Sequence, residues 1–201
     1  MEYDTSKFSP EEKRKFVDNI SKVEKACKDF RGEFIHAITD MECLIDHIIA
    51  MHFCNGDKEK ITEMLCVLLT TDRITLQSKV QVMFFIIHKY YKNIYNINSP
   101  VNPKKGNYQT KKLEGRLEDL ITLRNKFAHR QFSFTVEQVM NYDEFAQEIS
   151  LNALVGKGGA IIDKLLPLNK KIMSNWLKEI LEINQILIRV DMAIKGMPPA
   201  R

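Results

Sequence analysis

The sequence predicts an all-α fold carrying one small β-hairpin, and three observations lead there. Apolar residues recur at helical spacing through most of the 201 residues. Glycine and proline number only 8 and 6, too few for a turn-rich β-fold. The exception is local: short apolar runs at 150–155 and 160–165 flank Gly156-Lys157-Gly158-Gly159, the pattern of a hairpin. With 44% hydrophobic residues the chain can bury a core and is not a disordered segment.

The first helix is expected over 9–29. Ser9, Pro10 and Glu12 form a capping box with proline at the first helical position, and Phe16, Ile20, Val23 and Cys27 keep helical spacing. A second helix is expected over 31–53. On it Phe34, Ile38, Met41, Ile45, Ile48 and His52 form one stripe, and Asn55-Gly56 stops it. A shorter helix follows over 58–69. The next spans 76–95, with Val80, Met83, Ile87 and Tyr90 facing the core.

A loop is expected over 96–110, rich in Pro, Gly and Lys, then a helix over 111–130. After it comes the hairpin, at about 146–166, closed by Pro167. The last helix covers 169–195, with Ile172, Trp176, Ile183, Leu187 and Val190 in register. The whole reads as one domain: an N-terminal helix in 1–29, a core in 30–195, and a loose tail in 196–201.

Several function classes drop out. No apolar run reaches the roughly 18 residues that span a bilayer. The start, Met1-Glu2-Tyr3-Asp4, is polar and acidic, unlike a signal peptide, so a cytoplasmic location is expected. Cys27, Cys43, Cys54 and Cys66 then read as reduced core thiols. Cys43, His47, His52 and Cys54 scatter around their helix, so no zinc site is expected. The glycine turn lacks the spacing of a phosphate loop. No metal or cofactor is expected. The net charge of +4 permits a nucleic-acid partner without demanding one.

One residue of the 111–130 helix is out of place. At about 100° per residue, Leu113, Leu117, Leu120, Ile121, Phe127 and Ala128 form its apolar stripe. Arg124 falls about 20° from the centre of that stripe. An arginine there must snorkel outward, or be held in a cleft or interface. Asn125 and His129 are one turn apart on one side of the helix. A purely structural reading pairs Arg124 with Glu42 or Asp46, which flank the earlier apolar stripe, and leaves His129 to cap the helix end.

The stretch Arg124-Asn125-Lys126-Phe127-Ala128-His129 resembles the hallmark of the HEPN superfamily: Arg, a polar residue, three variable residues, then His, near the end of a core helix. Ala before His is also typical. The segment Glu42-Cys43-Leu44-Ile45-Asp46 within 34–53 looks like the family's first core helix, and Ile74-Thr75-Leu76-Gln77-Ser78-Lys79-Val80 like the start of the next. The resemblance covers roughly 30–195. It implies an up-and-down four-helix bundle, with the additional helices and the hairpin inserted before the last helix.

It also implies a metal-independent endoribonuclease acting as a homodimer across the Arg124/His129 face. Settings in toxin–antitoxin systems or antiviral defence follow, with an antitoxin or regulatory protein as a further partner. Arg124, Asn125 and His129 would be catalytic, with Glu42 and Asp46 in support. Lys104, Lys105, Lys111, Lys112, Lys126, Arg130 and Tyr108 would grip the RNA, lysines on the backbone and the tyrosine on a base. The alternative within the family is an inactive module that binds RNA, a nucleotide or a partner protein.

Overall fold

The computed structural model describes residues 5–70, 74–91, 106–129, 131–133, 136–142, 149–152, 166–168 and 170–196. Among these the chain is mostly helical. In chain order the elements are α1 (Pro10–Cys54), α2 (Lys58–Met64) with a π-helical turn (Leu65–Leu69), α3 (Leu76–Tyr90) and α4 (Gly106–His129). Then follow β1 (Gln131–Ser133), α5 (Val136–Met140), β2 (Ile149–Asn152), β3 (Leu166–Leu168) and α6 (Lys170–Ile194). None of these helices is long and apolar enough to cross a membrane.

Two helices expected separately are one. α1 runs unbroken for 45 residues through the expected break at 29–31. The junction Asp29-Phe30-Arg31-Gly32 holds no proline, and a lone glycine costs a helix only about 1 kcal/mol. Its start is the expected capping box. The Ser9 amide donates to Glu12 Oε2 at 2.8 Å, and the Glu12 amide donates to Ser9 Oγ at 3.2 Å. The Ser9 amide, with the Ser9 hydroxyl in second place, holds the Glu12 carboxyl below the usual glutamate range. Its end is the expected stop: Asn55 and Gly56 take left-handed φ values of 48° and 80°.

Other boundaries move. Asp57 caps α2 by accepting from the Glu59 and Lys60 amides, and Thr75 caps α3 by accepting from the Ser78 amide. α3 ends at Tyr90, and 92–95 lie outside the described residues. Helix α4 begins at Gly106, taking in 106–110 of the expected loop; 96–105 lie outside the description. β2 pairs antiparallel with β3, Ser150 opposite Pro167, and with β1 on its other side. The paired segment thus includes Pro167 itself, while the glycine turn falls in 153–165, outside the described residues, as does the tail from 197.

The chain divides into two compact units. The first comprises Met1–His36 and Arg124–Leu177, the second Ala37–Leu123 and Lys178–Arg201. In the first, Phe16, Val23, Cys27, Phe34, Phe127, Val139 and Met173 are buried. Asn19 is buried with them, and its amide donates to the Val139 carbonyl at 2.9 Å, tying α1 to α5. Phe127 stacks at a tilt on Phe34, 4.7 Å between ring centres, and meets Trp176 edge-on at 5.9 Å. That trio joins α1, α4 and α6 within the unit.

In the second unit Ile38, Met41, Ile45 and Ile48 of α1 are buried as the periodicity predicts, and so are Val80, Met83 and Ile87 of α3 and Leu113, Leu117, Leu120 and Ile121 of α4. Tyr90 departs from expectation and is exposed. Polar and charged pairs tie the helices of this unit. His47 Nδ1 of α1 lies 2.8 Å from Asp191 Oδ1 of α6, and Arg116 of α4 pairs with Glu179 and Glu182 of α6. Of the cysteines only Cys27 is buried, its thiol pushed up to about 12 by burial; Cys43 and Cys66 are exposed.

Gly32 sits inside α1 with open space where a Cβ would stand. Gly32→Ala should therefore raise unfolding free energy by roughly 0.5–1 kcal/mol, read as a shifted denaturant midpoint at unchanged slope. A destabilised variant would contradict the unbroken helix.

Candidate functional site

The candidate motif occupies the last turn and a half of α4, and His129 is its final helical residue. Phe127 decides how this turn lies. It is fully buried against Phe34 and Trp176, so the residues two positions away point roughly 160° from the packed face. Asn125 is accordingly exposed, and Lys126 half-buried. Ala128, expected on the apolar stripe, is exposed as well.

Arg124 takes the outward course of the alternatives open to it. It is half-buried, and its Nη1 donates to Asn125 Oδ1 at 3.3 Å at the surface. The aliphatic stem can lie over the apolar stripe while the guanidinium stays in solvent, so no buried counter-charge is needed. The arrangement puts a planar five-donor cation and an amide side by side. The amide uses its oxygen on the arginine, which leaves its NH₂ as a donor for an incoming oxyanion.

Glu42 and Asp46 have a different cation from the one expected. Lys79 of α3 reaches both, Nζ to Glu42 Oε1 at 2.6 Å and to Asp46 Oδ2 at 2.9 Å. Lys79 and Asp46 are each 3% exposed. Burial works against the ammonium, but its bonds to the two carboxylates outweigh that and raise it above the ordinary lysine value. Burial raises the Asp46 carboxyl, with the Lys79 bond opposing. This is a structural cluster clamping α1 to α3.

The remaining grip residues divide. Tyr108, Lys111 and Lys112 fall in the first turns of α4, and Lys104, Lys105 and Arg130 lie outside the described residues. Of the residues weighed as zinc ligands, His47 is bonded to Asp191, and His52 Nδ1 lies 3.2 Å from the Tyr91 hydroxyl. Burial lowers the His52 imidazole below its ordinary value.

Two outcomes separate the anchor from the display. Phe127→Ala should cost about 3–5 kcal/mol, since it empties a packed ring site, whereas Arg124→Ala should change stability by under about 0.5 kcal/mol. Chemical denaturation of the two variants checks this, and equal losses would refute it. Lys79→Met should cost about 3 kcal/mol or more at neutral pH by stranding the Asp46 carboxylate. Burial and the neighbouring Glu42 charge would then act on Asp46 unopposed, raising it further, so the folded variant would bind that proton more tightly than the unfolded chain. Its stability should therefore rise as the pH falls from neutral through that raised value. Denaturation at neutral and mildly acidic pH should show this relative gain over wild type; a parallel decline would count against the buried cluster.

Comparison of the chain with protein-family models, with curated proteins and with solved structures returns no match.

Proposed function

We propose that this chain is a metal-independent endoribonuclease of the HEPN type, cutting RNA by attack of a 2′-hydroxyl on the neighbouring phosphate. The observation that carries the reading is the surface pair of Arg124 and Asn125 one turn before His129, on a helix end pinned by Phe127. The up-and-down bundle, and a homodimer that brings two such helix ends together, belong to this proposal.

The chemistry assigns each residue a task. The 2′-oxygen attacks phosphorus, the bond from phosphorus to the 5′-oxygen breaks, and the products are a 2′,3′-cyclic phosphate and a free 5′-hydroxyl. One proton must leave the 2′-hydroxyl and one must reach the 5′-oxygen. A histidine titrates in the right range for either transfer, and two copies of His129 would divide the labour. Negative charge grows on the non-bridging oxygens, where the fixed guanidinium of Arg124 serves. Asn125 positions Arg124 through its oxygen and offers its NH₂ to the phosphate. DNA lacks the 2′-hydroxyl and would be spared. A setting in toxin–antitoxin or antiviral defence, with a regulatory protein restraining the activity, is the biological context that the resemblance attaches to such chemistry.

The test is incubation of purified wild type with mixed RNAs in the presence of a chelator. Cleavage should persist, leave 2′,3′-cyclic ends, and stop at a 2′-deoxy linkage. His129→Ala should lower the rate roughly 100- to 10,000-fold, and Arg124→Ala about 100- to 1,000-fold, without loss of fold. Full activity in both variants would end the assignment. A solution mass of twice the chain's own should accompany activity; an active monomer would remove the composite site.

A further inference from the structure

The end of α3 carries a feature that the cleavage motif does not use. Phe85, Tyr90 and, at the end of α1, Phe53 are large aromatics left 57%, 53% and 59% exposed. They are contiguous with other groups of the same unit. Lys89 Nζ lies 5.3 Å from the Phe85 ring centre and 5.1 Å from that of Tyr90. His52 continues the row, 4.7 Å from Tyr90 and 5.1 Å from Phe53 between ring centres. Because burial lowers His52, it serves there at neutral pH as an uncharged ring. Exposed apolar surface of this extent calls for an occupant.

The charge around it says which. From Arg73 to Leu113 the sequence contains no aspartate or glutamate; Lys79 is spent on Glu42 and Asp46, which leaves Arg73 and six further lysines in that stretch. The nearest acid beyond the end of α1, Asp57, is engaged by the Glu59 and Lys60 amides and by the Lys60 ammonium. The row is thus a set of π-faces interleaved with a cation, on a segment of unbroken positive sign. A single strand of nucleic acid alternates π-faces with phosphates and matches both properties at once. An apolar protein partner would leave Lys89 without a counter-charge.

We propose that Phe53, His52, Tyr90, Phe85 and Lys89 form a stacking platform for single-stranded RNA, distinct from the Arg124 motif. The proposal rests on RNA being the ligand of this chain. The platform supplies grip and a preference for unpaired strands, and takes no part in bond breaking.

The test is fluorescence anisotropy of a labelled single-stranded RNA oligomer on the full chain carrying His129→Ala, which keeps the strand intact. Phe85→Leu and Tyr90→Leu, added singly, retain apolar bulk at exposed positions; circular dichroism verifies the fold. Each should weaken binding about fivefold or more, as expected for loss of one stacked base. Lys89→Gln should reduce the slope of log affinity against log salt by about 0.7. Unchanged affinity in both ring variants overturns the platform, as does an absence of RNA binding by the parent. Loss of binding to phosphatidylserine vesicles with RNA affinity intact assigns the rings to a membrane surface and also overturns it. The two readings separate cleanly. Ring-dependent binding by a wild type that cuts no RNA removes the nuclease and leaves the platform; cleavage with ring-independent binding does the reverse.

Discussion

Phe127 is the residue on which the candidate site depends. It lies inside the six-residue motif, yet its ring belongs to the core of its unit, between Phe34 of α1 and Trp176 of α6. Burying that one ring fixes the rotation of the last turns of α4 about its axis. With the rotation fixed, helical geometry alone sends Asn125 to the surface and puts position 129 on the same face, one turn further on. The display of polar residues is therefore a consequence of apolar packing on the opposite side. A site built this way needs no buried charge.

The second constraint is the Lys79 cluster, and it follows the opposite logic. An ammonium and a carboxylate almost without exposure are costly to desolvate, and they are tolerable only because Glu42 and Asp46 together meet the lysine's donors. Such a cluster contributes less to net stability than well-packed apolar residues of the same volume, but it pairs α1 with α3 in one register. A slip of either helix by one position would strand a charge. His47 with Asp191, and Arg116 with Glu179 and Glu182, extend the same device to α6 nearer the surface, where solvent screens the charges and each pair matters less.

What was legible in the sequence was what local chemistry decides. Ser9 with Glu12 and Asn55 with Gly56 are set by residues within four positions of one another, and both were readable. So were the stripes of α1 and α3, because a 3.6-residue period needs no knowledge of the partner. The continuity of α1 was not, since one glycine weakens a helix without forbidding it, and packing decides the outcome. Tyr90 lay on the expected stripe and is exposed, because a period tells which residues share a face but not where the covering layer ends. The instructive miss is Lys79. It lies in sequence between Leu76 and Val80, but about 60° from the centre of the α3 stripe, on its flank, where a lysine stands out less than Arg124 does near the centre of its own. The structural pairing of Arg124 with Glu42 or Asp46 starts from the arginine's need for a partner and passes over Lys79, which meets both carboxylates.

Arg124 and Lys79 show why a cation on an apolar stripe cannot be interpreted from its angle alone. Lys79 sits on the flank of a helix face that is covered along that side, with two carboxylates opposite, and is sealed in. Arg124 sits near a helix end, with an exposed amide as neighbour and solvent within reach of its long stem. The difference is the depth of the covering layer, a tertiary property. It also separates their roles. A sealed cation has its bonding capacity spent inside the protein, whereas among the described residues the Arg124 guanidinium gives one weak bond, to a neighbouring amide. Of the two, only Arg124 retains the means to act on a ligand, and on that ground the functional reading attaches to the end of α4 rather than to the more strongly bonded cluster.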